Sequence, residues 1–133
     1  MLSVAALEPL GLSPKGFGAL TVLADAGPLS QGSLAVRQGI DRTTMVAVVD
    51  QLERLGAVRR RRDERDRRAY ALELTPAGRR LLDRGRDVLA GAEERFLTPL
   101  PLEERQRLKD ALRVLVEAQA SGVVSSSSSA RMR

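Results

Sequence analysis

The sequence predicts a mainly α-helical domain that carries one short β-hairpin. Three observations carry that prediction. Apolar residues recur at helical spacing in successive segments that open on Ser13, Ser30, Asp41 and Thr75. A single run, "AYALEL" at 69–74, alternates with the period of a strand. Apolar residues make up 43% of the chain but aromatics only 2%, so the core is Leu, Val and Ala, which suits packed helices.

The elements follow in order. "LSPKGFGALTVLADAG" opens with Ser13 as N-cap and Pro14 at the first helical position. Phe17, Leu20 and Leu23 mark its inner face, and Gly27 and Pro28 stop it. "LSQGSLAVRQGI" begins on Ser30, turns Leu34 and Ala35 inward and ends at Gly39. "DRTTMVAVVDQLERLGAV" is capped by Asp41, with a stripe of Met45, Val48, Val49, Leu52 and Leu55, and Gly56 closes it. Two helices joined by a Gly-containing turn form a helix-turn-helix.

"RRRRDERDRRAY" comes next, with seven arginines and three acids between Arg59 and Tyr70. Taken alone it reads as a solvated charge run. Its far side decides otherwise, because Tyr70, Leu72 and Leu74 alternate with Ala71 and Glu73. The reading is a hairpin, with strands at 58–62 and 69–74 and an arginine-rich tip. Thr75 then caps a long helix with Leu81, Leu82, Val88, Leu89, Ala92 and Phe96 on its apolar stripe. "LTPLP" breaks it. A last helix carries Leu108, Leu112, Leu115 and Val116, and the serine-rich stretch 121–133 is expected to be disordered.

Composition excludes several function classes. The chain has 133 residues, enough for one modest core, and no Cys or His. Disulfides, thiol chemistry, the usual zinc and haem ligand sets and the commonest general base are therefore absent. The paired acids Glu93–Glu94 and Glu103–Glu104 are adjacent in helices, so each pair points to different faces and reads as solvated charge. No nucleophile sits near a recognisable base and no Gly-rich phosphate loop appears. The expectation is no enzyme, no catalytic residue, no metal site and no cofactor. With no apolar run of about 20 residues and no basic leader, the expected location is the cytoplasm, with no membrane partner.

The net charge is +5, from 22 basic and 17 acidic residues. Between Arg37 and Arg68 ten bases face six acids, so +4 of it is focused on the helix-turn-helix and hairpin. Focused positive charge is the electrostatic footprint of phosphate binding. Twenty of the 22 bases are Arg, which forks onto phosphate and base edges better than Lys, although Arg is frequent throughout the chain.

The order of elements resembles the MarR family of winged-helix transcriptional regulators. The match is sharpest in "DERDRRAYALELTPAG", which is similar to that family's wing signature, an Asp-x-Arg-Asp-x-Arg loop leading to a strand and Leu-Thr-x-x-Gly. "IDRTTMVAVVDQLERLGAVRR" is similar to its recognition helix, and "SQGSLAVRQGI" to the helix before it. The resemblance implies a winged helix-turn-helix plus terminal dimerisation helices, and a homodimer that binds double-stranded DNA. It divides the chain into a shortened N-terminal helical segment at 1–12, a DNA-binding domain at 13–75, dimerisation helices at 76–120 and the tail.

On that reading Arg37 meets backbone phosphate. Arg42, Thr43 and Thr44 face the major groove from the first turns of the recognition helix, and Arg65, Arg67 and Arg68 enter the minor groove from the wing. Asp63 and Asp66 hold the wing arginines by ion pairing. Ordinary capping beside Asp41 is the competing account of Thr43 and Thr44, and a solvated strand face that of Arg59 to Arg62. Where the family often has a polar or basic pair in the second turn of the recognition helix, this chain has Val46 and Ala47. They offer apolar contact with a thymine methyl and no hydrogen bond. Many relatives release DNA when a small molecule binds, and the sequence names no such effector. The alternative reading is a winged-helix module for protein contact without sequence-specific DNA binding. An apolar patch on the recognition helix would favour it.

Overall fold

The computed structural model describes residues 2–62 and 70–120. The first helix, α1 (Leu2–Leu7), runs into a 3-10 turn at Glu8–Leu10 that Gly11 ends with a positive φ of 69°. Then come α2 (Pro14–Ala26), β1 (Leu29–Ser30), α3 (Gln31–Gln38), α4 (Arg42–Arg54), β2 (Val58–Arg62), β3 (Tyr70–Leu74), α5 (Pro76–Leu97) and α6 (Leu102–Ala120). The chain falls into two compact units, residues 1–93 and 94–133, so the last turn of α5 belongs with α6.

In the first unit, Leu7, Leu20, Leu34, Met45, Val49, Leu52, Leu72 and Leu82 are all under 2% exposed and form one core. Each such side chain contributes roughly 1.5–3 kcal/mol by leaving water. Phe17, Val88 and Leu89 pack against its edge. The predicted caps are in place. Ser13 Oγ accepts from the Gly16 amide at 3.0 Å, Ser30 Oγ from Ser33 at 3.1 Å and Thr75 Oγ1 from Gly78 at 2.9 Å.

The sheet differs from the expected two-stranded hairpin. It has three antiparallel strands in the order β1-β3-β2, with Leu29 opposite Leu72 and Ser30 opposite Ala71. The added strand is only two residues long and lies between a Gly-Pro stop and an N-cap, so no alternation announces it. The hairpin register places Val58 opposite Leu74, Arg60 opposite Leu72 and Arg62 opposite Tyr70. Two stripe positions also differ. Leu55 ends α4 and is 37% exposed, and Phe96 is 66% exposed. The expected tail at 121–133 lies outside the described residues, as does Ala69 at the start of the expected second strand.

In the second unit, Arg105 closes the turn between the two helices. Its Nε donates to the Leu100 carbonyl at 2.7 Å and its Nη2 to that of Thr98 at 3.0 Å, and Glu94 pairs with it at 3.6 Å. Along α6, Leu112, Val114, Leu115 and Val116 are each more than half exposed. No helix among the described residues is long and apolar enough to cross a membrane.

Candidate nucleic-acid interface

Helix α3 ends at Gly39, whose φ of 64° is the left-handed conformation that glycine adopts without a Cβ clash. The Gly39 and Ile40 amides donate back to the carbonyls of Val36 and Ala35, at 3.2 and 3.0 Å. Asp41 then starts α4 at once. Its Oδ2 accepts from the Thr44 amide at 3.2 Å and its Oδ1 from the Thr44 hydroxyl. Those two bonds, side chain first, hold the Asp41 carboxyl below its ordinary pKa. Gln51, on the inner side of α4, receives the Ser13 hydroxyl at 3.1 Å and so ties the helix to the start of α2.

The sequence-derived contact residues of the helix-turn-helix lie together. Arg37, Arg42 and Thr43 are exposed, and Thr44 is half-buried with its hydroxyl committed to Asp41. Arg37 and Arg42 line one groove between α3 and α4, of about 1090 Å³, with Ala35, Val36, Ile40 and Val46. Val36 is 82% exposed there and Val46 42%. Arg65, Arg67, Arg68, Asp63 and Asp66 lie outside the described residues.

The arginines of β2 are not a uniform solvated face. Arg59 Nε donates to Glu73 Oε1 across the hairpin, and Arg61 Nη1 donates to Glu73 Oε2 at 3.1 Å. These bonds, that from Arg59 foremost, hold the Glu73 carboxyl below its usual range against partial desolvation. Arg60 points the other way. Its Nε donates to Glu53 on α4 at 3.2 Å and its Nη2 to Gln31 at the start of α3 at 3.3 Å. One side chain thus joins both helices to the root of the wing. Arg62 lies 5.9 Å from the centre of the Tyr70 ring, within cation–π range.

Sequence reasoning missed the Gln31–Arg60–Glu53 link. Four identical charges in "RRRR" gave no sign of which arginine faced which helix, and the register with β3 is needed to tell them apart. It also missed why "LTPAG" takes that form. Thr75 Oγ1 caps Gly78 while donating to the Gly56 carbonyl, and a Cβ on Gly78 would lie 2.0 Å from the Ala57 oxygen.

Comparison with known proteins agrees with this architecture. A model of the MarR family matches residues 10–69. A protein of Thauera aromatica, assigned as transcriptional regulator of the hcr operon, is 37% identical over 105 residues, which cover 79% of this chain and 63% of that protein. The HTH-type transcriptional repressor Rv2887 of Mycobacterium tuberculosis is 33% identical over 111 residues, covering 84% of this chain and 80% of its own. Wild-type MarR of E. coli, in its apo form, superimposes with a TM-score of 0.75 at 20% identity, over 86% of this chain and 85% of that one, and so shares the fold. With the fold, the repressor relative and the family match in agreement, this chain is a member of the MarR family of winged-helix transcriptional regulators.

Proposed function

We propose that this regulator acts as a homodimer on double-stranded DNA, with α4 in the major groove and the arginine-rich hairpin tip in the minor groove. The observation that carries the reading is the shared exposure of Arg37, Arg42 and Thr43 around one helix-turn-helix surface, braced to the wing root by Arg60. Arg37 takes a backbone phosphate, while Arg42 and Thr43 reach base edges. The Thr44 hydroxyl donates to the cap Asp41, so a base contact of its own is as an acceptor, from a base amino group. Arg65, Arg67 and Arg68 complete the contact from the wing, with Asp63 and Asp66 ordering them. The apolar stripe of α6 supplies the dimer contact, since exposed apolar helix faces of this extent seek a partner. Release of DNA by a small-molecule effector rests on the resemblance alone, and a cytoplasmic location goes with the DNA-binding role.

The direct test is selection of bound duplexes from a random DNA pool by the full chain, followed by sequencing. Enrichment of a pseudo-palindromic site, with half-sites about one helical turn apart, is the expected result. Failure to enrich any duplex defeats the reading.

One observation favours a second reading, protein contact without sequence-specific DNA binding. Val36 and Val46 form the kind of exposed apolar surface that such contact uses. Salt separates the two, because phosphate binding weakens steeply with salt and apolar contact does not.

A further inference from the structure

We infer that Val46 reads thymine through its C5-methyl group, so that in the second turn of α4 the operator is selected by methyl groups and not by hydrogen bonds. The inference rests on the proposed DNA binding and names what that surface recognises. Arg42 and Val46 stand four residues apart on α4, hence on one face, and both line the groove shared with α3. Both Val46 and its neighbour Ala47 are exposed. Neither carries a donor or an acceptor. One turn further on, the exposed Asp50 offers only acceptor oxygens, which suit a cytosine amino group and are repelled by phosphate.

Of the four base pairs seen from the major groove, only those with thymine present an apolar group, the C5-methyl. Every other edge there is a donor or acceptor that would lose its water against a valine and gain nothing. Charge fixes the occupant as nucleic acid. Arg37 and Arg42 line the apolar groove itself, and neither forms an ion pair among the described residues, so their charge is available to a nucleic-acid duplex. Val36, beside Arg37, extends the same apolar strip from α3.

The test uses the duplex most enriched in the selection, resynthesised with deoxyuridine replacing thymidine one position at a time. Uracil keeps the base pair and removes only the methyl. Binding should weaken about fourfold at each contacted thymine, the value for burying one methyl-sized group. In Val46→Ala the same replacements should cost less than about half of that factor, because both γ-methyl groups that reach toward the base are removed. Val46→Ser, which likewise removes both γ-methyl groups, gives the same readout should Val46→Ala melt early. Equal binding of thymidine and deoxyuridine duplexes by the unmodified chain, with steep salt dependence intact, overturns methyl reading while DNA binding stands. Equal losses in the chain and in both variants place the methyl contact on another residue and also overturn it. If no duplex is enriched, DNA binding falls and this inference with it.

Discussion

A Cβ on Gly78 would stand 2.0 Å from the carbonyl oxygen of Ala57, and 2.8 Å from its carbonyl carbon. That carbonyl also accepts the Thr75 amide at 3.0 Å, so it cannot turn away without losing a bond. The start of α5 is thereby clamped to the exit of α4, and the wing strands are anchored between them. Gly78→Ala should destabilise the protein by at least about 2 kcal/mol, the scale of overpacking against an unyielding neighbour. Gly32, within α3, has nothing near its would-be Cβ. Gly32→Ala should be neutral or stabilising by up to about 1 kcal/mol. Urea unfolding of both variants checks the contrast, and equal costs would contradict it.

Arg60 is a positioning residue in the proposed complex. Because its guanidinium is taken by Glu53 and Gln31, Arg60→Ala should weaken duplex binding without changing the salt slope. An exposed pair of this kind adds only about 0–1 kcal/mol to stability, so melting should barely move. Glu53→Gln should lower affinity in the same sense, although it removes a negative charge and simple electrostatics predicts the opposite. Tighter binding by Glu53→Gln would show that the link does not matter.

The pH dependence of stability follows from Asp41 and Glu73, both held below their ordinary pKa by hydrogen bonds. A depressed carboxylate stabilises the fold above its unfolded pKa, near about 4. That contribution is lost as pH falls through the lower folded value. Glu73→Gln should therefore melt below the unmodified chain at neutral pH, and the two curves should converge on acidification below about pH 4. A gap of constant size down to acid would contradict the role given to Arg59 and Arg61.

Leu112 and Leu115 on α6 are 51% and 57% exposed. If they form the contact between two copies, Leu112→Asp combined with Leu115→Asp should turn a sedimenting dimer into a monomer. The far-ultraviolet dichroism should change little, since neither side chain is in the core. A variant that still sediments as a dimer would move the interface elsewhere.

Much of this architecture was legible in the sequence because it is encoded locally. Ser13, Ser30, Asp41 and Thr75 cap helices through bonds that reach three residues along the chain, and their spacing alone reveals them. Met45, Val49 and Leu52 are buried as their period requires. What escaped is encoded at a distance. Strand β1 exists because Leu29 and Ser30 find β3 some forty residues on, and two residues cannot display an alternation. The split among the arginines of β2 depends on which helix the hairpin lies against. Val46 was legible as a departure from the family pattern, but only its exposure beside Arg42 gives that departure a use.

The central claim is that the charged helix-turn-helix and wing grip the phosphate backbone of a duplex. It is tested most directly by the affinity for the selected duplex across a salt series, measured for the chain and for Arg65→Ala combined with Arg67→Ala. The account predicts a steep fall of log affinity with log salt in the unmodified chain, and a slope shallower by about one unit for each arginine removed. Binding that ignores salt, or a double variant with the parent's affinity and slope, would contradict it.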